Sequence, residues 1–193
     1  GFDTSNVTNM ASMFNACTSL TTITGLGDLD ISNVVNIDYM FNNVKALETW
    51  GLDEWDTSKI ERLHQTFRGS SIGNDSGIEN WKLPKLNSLY FTFADCTNLT
   101  RLDISGWVTE NTNSIALDSS FYTNRNIEYI NFENWNHIKL SKLSGTFSGC
   151  YALTEIKGIE NFDTSKVTHM GGMLQNCKSL TSLDLSNWDT TNV

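Results

Sequence analysis

Apolar side chains recur along this chain with a period of 26 to 28 residues, and the cleanest copy runs from Phe162 to Trp188, FDTSKVTHMGGMLQNCKSLTSLDLSNW. Phe2, Leu29, Trp55, Trp81, Trp107, Trp135, Phe162 and Trp188 open successive units, at steps of 27, 26, 26, 26, 28, 27 and 26. A fixed period in this range is the signature of stacked repeats, in which no unit buries its apolar side alone. The units run 2–28, 29–54, 55–80, 81–106, 107–134, 135–161 and 162–187, with a partial one at 188–193.

Three further columns define the unit. Twelve residues after the opening anchor stand Phe14, Phe41, Phe67, Phe93, Phe147 and Leu174; in the fifth unit Phe121 comes two later, so its extra residues are expected to bulge at the surface between Val108 and Phe121. Upstream, Val7, Met10 and Phe14 repeat as Val34, Ile37, Phe41 and as Val167, Met170, Leu174. That spacing of three then four predicts one face of a short helix. Pro84, the only proline, would start that helix in the fourth unit. Downstream, Leu99, Leu102, Ile104 and Leu180, Leu183, Leu185 form an L-x-x-L-x-L run whose second half alternates as a strand does.

The pattern therefore predicts an α/β repeat solenoid of about seven units of 26–28 residues, each a short parallel strand plus a short helical segment. The third unit departs from it. After Phe67 it reads RGSSIGNDSGIENW, so its strand positions fall on Gly73, Ser76 and Ile78, and the stretch Gly69–Asn80 is expected to loop outward, by decay of the repeat or to contact a ligand.

With 13 basic and 22 acidic residues the formal charge is −9, which disfavours nucleic acid and anionic membrane as partners. No apolar run approaches the roughly 20 residues that span a bilayer, so direct membrane insertion by this segment is not expected. The chain starts one residue before an anchor and stops part-way into a unit, without the polar caps of natural solenoids, and reads as a piece of a longer array.

All four cysteines, Cys17, Cys96, Cys150 and Cys177, share one column with Val44, Ser70 and Asn124, which reads as an inward position where thiols serve as small apolar groups. Only Cys150 and Cys177, in adjacent units, come near enough for a disulfide, and inward stacking aims both thiols the same way.

Little of the polar inventory suggests chemistry. Asp3, Asp30, Asp56, Asp163 and Asp189 follow their anchors, but Lys82, Val108 and Asn136 interrupt the column. One carboxylate per unit leaves most of a calcium shell empty, so a turn-fixing role at D-T-S is the reading adopted. His64, His137 and His169 share no metal spacing, and His64 and His169 adjoin inward residues, which points them to solvent. No activated nucleophile, phosphate loop or paired catalytic carboxylate stands out, so no catalytic residue, metal or cofactor is assigned.

What varies from unit to unit is the outward face of the strands. Arg101, Asp103, Tyr129, Asn131, Glu155 and Lys157 are the candidate ligand-binding residues, because they combine an aromatic ring, both charges and an amide on a near-constant scaffold.

The motifs D-T-S-[NK]-V-T-x-M, M-F-x-x-C and L-x-x-L-x-L-S-N-W resemble the 26-residue bacterial surface-protein repeats related to BspA-type leucine-rich repeats. The resemblance implies a leucine-rich-repeat-like solenoid in a large secreted or anchored protein, outside the cell. It carries over no catalytic residue and suggests adhesion. The expected function is a non-enzymatic cell-surface module whose strand face meets a host or matrix protein or a glycan. The alternative is a stalk that displays another domain away from the cell.

Overall fold

The computed structural model describes residues 2–193. It is a repeated domain of short parallel strands with almost no helix, in which consecutive units lie one on the next. Strands β1 (Arg101–Asp103), β3 (Tyr129–Asn131) and β5 (Glu155–Lys157) form a parallel three-stranded sheet, and β2 (Ser114–Ala116) pairs in parallel with β4 (Lys139–Lys142). In the first sheet Leu102, Ile130 and Ile156 align in register and point inward. The second ladder is extended by single bridges at Arg62, Ser88 and Ala116.

The core is a set of side-chain files running through the stack. Phe14, Phe41, Phe67, Phe93, Phe121 and Phe147 stack in sequence with ring centroids 5.5 to 5.7 Å apart and planes within 16° of parallel. Beside them the anchors stack as Trp55–Trp81 and Trp81–Trp107, at 6.1 and 5.8 Å. The outermost anchor Phe2 is exposed, whereas Trp81, Trp107 and Trp135 are fully buried. Offset-parallel and tilted ring contacts of this kind add to the burial of the rings themselves.

The helix predicted around Val7, Met10 and Phe14 does not form, in this unit or in any other among the described residues. A left-handed residue stands at each of two positions four apart: Ser12 and Ala16, Tyr39 and Asn43, Gln65 and Gly69, Phe91 and Asp95, Ser119 and Thr123, Gly145 and Gly149. Each turns the chain before an i−4 bond can close, so the amides divide between short turns and the next unit. Asn42 N–H bonds Tyr39 C=O at 3.1 Å, while Phe41 N–H reaches Thr66 C=O at 2.9 Å. Inward side chains still fall three and four apart, which is the spacing that imitates a helix. Pro84 accordingly lies in a turn and starts no helix; among the described residues the helical segments are two single turns of 3-10 helix, Ile78–Asn80 and Ile159–Asn161.

Several columns are hydrogen-bonded as well as packed. The indole N–H groups of Trp55, Trp81, Trp107, Trp135 and Trp188 donate to the carbonyls of Leu26, Leu52, Ile78, Ile104 and Ile159, 29 or 31 residues earlier, at 2.7 to 3.2 Å. The cysteine column does the same: Cys96, Cys150 and Cys177 Sγ donate to the carbonyls of Phe67, Phe121 and Phe147 at 3.0 to 3.2 Å, and Asn124 Nδ2 to Phe93 at 2.9 Å. The thiols of Cys96, Cys150 and Cys177 are thus weak donors as well as apolar filler, whereas Cys17 is exposed and not inward as expected. All four are free, including Cys150 and Cys177. Burial pushes the Cys96 thiol up to about 12.

In the fifth unit the inserted residues Glu110 and Asn111 are exposed in a turn closed by Thr112 N–H on Thr109 C=O at 2.9 Å, while Ile115 returns to the core. The aspartates fix turns. Asp3, Asp30, Asp163 and Asp189 each accept the hydroxyl and the amide of the residue two further on, at 2.5 to 3.1 Å. Those bonds, the hydroxyl above all, hold the four carboxyls below their usual range. A carboxyl whose folded-state pKa is depressed contributes stability present above its unfolded pKa of roughly 4 and lost as pH falls through the folded value. Asp118, raised by burial, acts in the opposite sense but alone. Burial lowers His64, whose protonation costs stability nearer neutrality, so the melting temperature is expected to fall slightly below about pH 6.5 and steadily below about pH 4. A melting temperature that rises on acidification would contradict the turn role.

Candidate functional site: the strand face and the cleft beside it

The sheet brings the six candidate residues together in two rows. Arg101, Tyr129 and Glu155 occupy paired positions, as do Asp103, Asn131 and Lys157. Strand alternation explains this directly: with Leu102, Ile130 and Ile156 turned inward, their flanking residues must face out. The Arg101 guanidinium lies over the Tyr129 ring, 4.4 Å from its centroid. Asn131 Nδ2 donates to Asp103 Oδ2 at 3.0 Å, and Lys157 Nζ pairs with Glu133 at 2.8 Å.

Their environments differ. Arg101, Asp103 and Glu155 are exposed, Tyr129 and Lys157 are half-buried, and Asn131 is buried. Burial raises the Tyr129 hydroxyl above its ordinary range. Burial also works to raise Asp103, but bonds from Ser105 and Asn131 outweigh it and hold the carboxyl low. Arg101 and Lys157 balance Asp103 and Glu155, so the face is polar without net charge.

The irregular third unit lies directly against this cluster, a juxtaposition that sequence reasoning did not find. The stretch Gly69–Asn80 does not loop outward as a whole: Ser70, Ile72, Ser76 and Ile78 are buried, with Ile72 in the inward place expected of Gly73, and only Gly73 to Asp75 turn at the surface. Asn74 then replaces the absent strand: its Oδ1 accepts the amides of Thr100 and Arg101, both at 3.1 Å, and its Nδ2 donates to Thr100 Oγ1 at 2.7 Å. Between this turn and β1 opens a cleft of about 380 Å³, walled by Asn74, Ser76 and Glu79 on one side and by Arg101, Asp103 and Tyr129 on the other. A second cleft of about 560 Å³ lies across the turn, beside Lys45, Glu48 and Trp50. The Ser76 hydroxyl is buried in the wall of the first cleft and has no hydrogen-bond partner. A buried hydroxyl left unpaired costs roughly 1–3 kcal/mol, a cost the fold carries at the wall of this cleft.

The histidines do not converge. His64 is half-buried and not solvent-facing as expected, since its Nε2 lies 2.9 Å from Ser88 Oγ, whereas His169 is exposed. No group of three or more His, Cys, Asp or Glu side chains close enough to hold a metal ion occurs among the described residues. No helix there is long and apolar enough to cross a membrane.

The family described as "Mycoplasma protein of unknown function, DUF285" matches residues 1–50, 48–117 and 115–193, which together cover the chain. The chain belongs to that family. Each of the three DUF285 matches spans about two to three of the units defined above. No curated protein and no solved structure matches the chain.

Proposed function

We propose that this DUF285 chain is a non-enzymatic binding module of a secreted or surface-anchored protein, related to the BspA-type repeats, and that its stack is a leucine-rich-repeat-like solenoid. It takes a protein or glycan ligand outside the cell on the β1–β3–β5 face and in the cleft beside it. One observation carries the reading. Six side chains of mixed chemistry meet on one sheet, next to a cleft whose wall holds the unpartnered Ser76 hydroxyl. Such a face combines an aromatic anchor, a stacked guanidinium and polar groups already held in place, the composition of binding hot spots.

The competing role is a stalk, which would need the same files of aromatic rings but no recognition face. The two separate in an array of matrix proteins and glycans probed with the purified chain. A binding module gives at least one hit that is weakened about 30-fold by Arg101→Ala with Tyr129→Ala, the effect of losing a hot spot of roughly 2 kcal/mol. The same double variant should keep its stability within about 1 kcal/mol, since both side chains are at the surface or half-buried. An empty array would leave the stalk, and hits indifferent to both substitutions would remove the strand face as the recognition surface.

A further inference from the structure

A second surface lies on the turn edge, on units two to five. Tyr39, Tyr90 and Tyr122 are 38%, 42% and 39% exposed there. The rings of His64, Tyr90, Phe91 and Tyr122 follow one another edge to face, at 5.8, 4.7 and 5.8 Å, and Arg68 lies over Phe91 at 5.0 Å.

This ridge is costly to the fold. Tyr39 and Phe91 occupy the left-handed column, at φ 58° and 52°, which the sixth and seventh units fill with Gly145 and Gly172. A bulky side chain at positive φ is strained, and the repeat itself supplies the unstrained solution. Neither ring is compensated by full burial. Tyr39 combines strain with exposure, and Phe91 is strained and half-buried between the exposed Tyr90 and Tyr122, which points to a function.

Beside the ridge lies a polar cleft of about 700 Å³. Its side chains form a continuous network. Asn43 Nδ2 donates to Asn42 Oδ1 at 2.6 Å, Asn42 Nδ2 to Gln65 Oε1 at 3.5 Å, and Gln65 Nε2 to the Tyr39 hydroxyl at 3.1 Å. Arg68 joins Gln65 Oε1 at 2.9 Å and Asp95 at 3.7 Å. Of the charged side chains lining the cleft, Arg68 is paired with Asp95 at 3.7 Å and Lys45 has no ion pair among the described residues, so a single unmatched cation stands in a lining made mostly of neutral amides and hydroxyls.

We propose that this turn edge binds an uncharged oligosaccharide. Pyranose rings present flat C–H faces, which aromatic side chains cover. Their hydroxyls both donate and accept, as do the amides and hydroxyls of the cleft. A network already held in place loses little side-chain freedom on binding.

The test titrates the 193-residue chain with cellotetraose, chitotetraose and laminaritetraose, and with a heparin tetrasaccharide as the acidic probe, by saturation-transfer NMR and calorimetry. At least one neutral tetrasaccharide is expected to bind. Tyr90→Ala and Phe91→Gly should each weaken it at least tenfold. Phe91→Gly should do so with an unchanged or raised melting temperature, because it removes the strain; a merely structural ring would lower it. Arg101→Ala with Tyr129→Ala, on the strand face, should leave this binding intact, so failure of one surface is distinguishable from failure of the other. The inference is overturned by binding of the heparin probe alone, by no binding of any neutral probe at millimolar concentration, or by binding that survives both ridge variants.

Discussion

Phe93→Ala is expected to lower the stability of the chain by about 3–5 kcal/mol, the range for deleting a large aromatic from a core that cannot close over the gap. Phe93 is fully buried and stacks on Phe67 and Phe121, both at 5.7 Å, with Trp107 tilted against it at 6.0 Å. Collapse is resisted because the backbone on both sides is fixed: Phe67 N–H bonds Thr92 C=O at 3.1 Å, and Phe93 N–H bonds Ser120 C=O at 2.8 Å. The units are held apart by the same ladder that holds them together, so the void persists. Phe93→Leu should cost less, since Leu174 occupies the same column in the seventh unit. Urea unfolding followed by Trp fluorescence measures both. A loss below about 1.5 kcal/mol for Phe93→Ala would mean that the file relaxes and is not a rigid spine.

That file was legible in the sequence because stacking on a fixed period puts equivalent residues above one another, whatever the path between them. Phe14, Phe41 and Phe67 needed only their spacing. The β1–β3–β5 face was legible for a related reason: a period of two leaves no choice about which neighbours of Leu102 and Ile130 face out. The predicted helix failed because spacings of three and four are shared by a helix and by paired turns bent at left-handed residues. The discriminating signal was present in Gly69, Gly145, Gly149 and Gly172, which are poor residues for a helix interior and natural ones at positive φ. Polar bonds between units were hidden altogether. That a Trp indole reaches the carbonyl 29 residues back, or a cysteine the Phe carbonyl, depends on which backbone groups the turns leave free. The cleft beside Ser76 was missed because Ile72 slips into the inward place that the repeat assigned to Gly73.

The turn before each anchor is built in two ways, and the difference sets a sharp expectation for Gly77. Four residues before the anchor stand Gly25, Gly51, Gly77 and Gly158, all at positive φ, or else Asp103, Asn131 and Asp184, whose side chains accept the amide two residues on. A glycine solves the turn through backbone freedom and an Asp or Asn through a side-chain bond. Gly51→Ala meets only the first problem, because no atom lies within 4 Å of the added methyl, and should cost about 1–2 kcal/mol for a left-handed alanine. Gly77→Ala meets a second. At φ 87° its methyl would lie 2.6 Å from the Asp53 nitrogen and 2.8 Å from the Asp53 Cα, backbone atoms of the unit below that cannot swing aside. Relief requires lifting the turn off unit two, which strains Leu52 N–H on Ser76 C=O at 2.9 Å and the nearby Trp81 indole on Leu52 C=O at 2.8 Å. Overpacking adds about 1–3 kcal/mol to the left-handed penalty, so Gly77→Ala should be the more destabilising of the pair by at least 1 kcal/mol. Equal losses from the two variants would show that the contact with Asp53 gives way. Because Ser76 is its neighbour, Gly77→Ala should also disturb the strand-face cleft and weaken any ligand held there, while Gly51→Ala, one unit away, should leave that ligand bound.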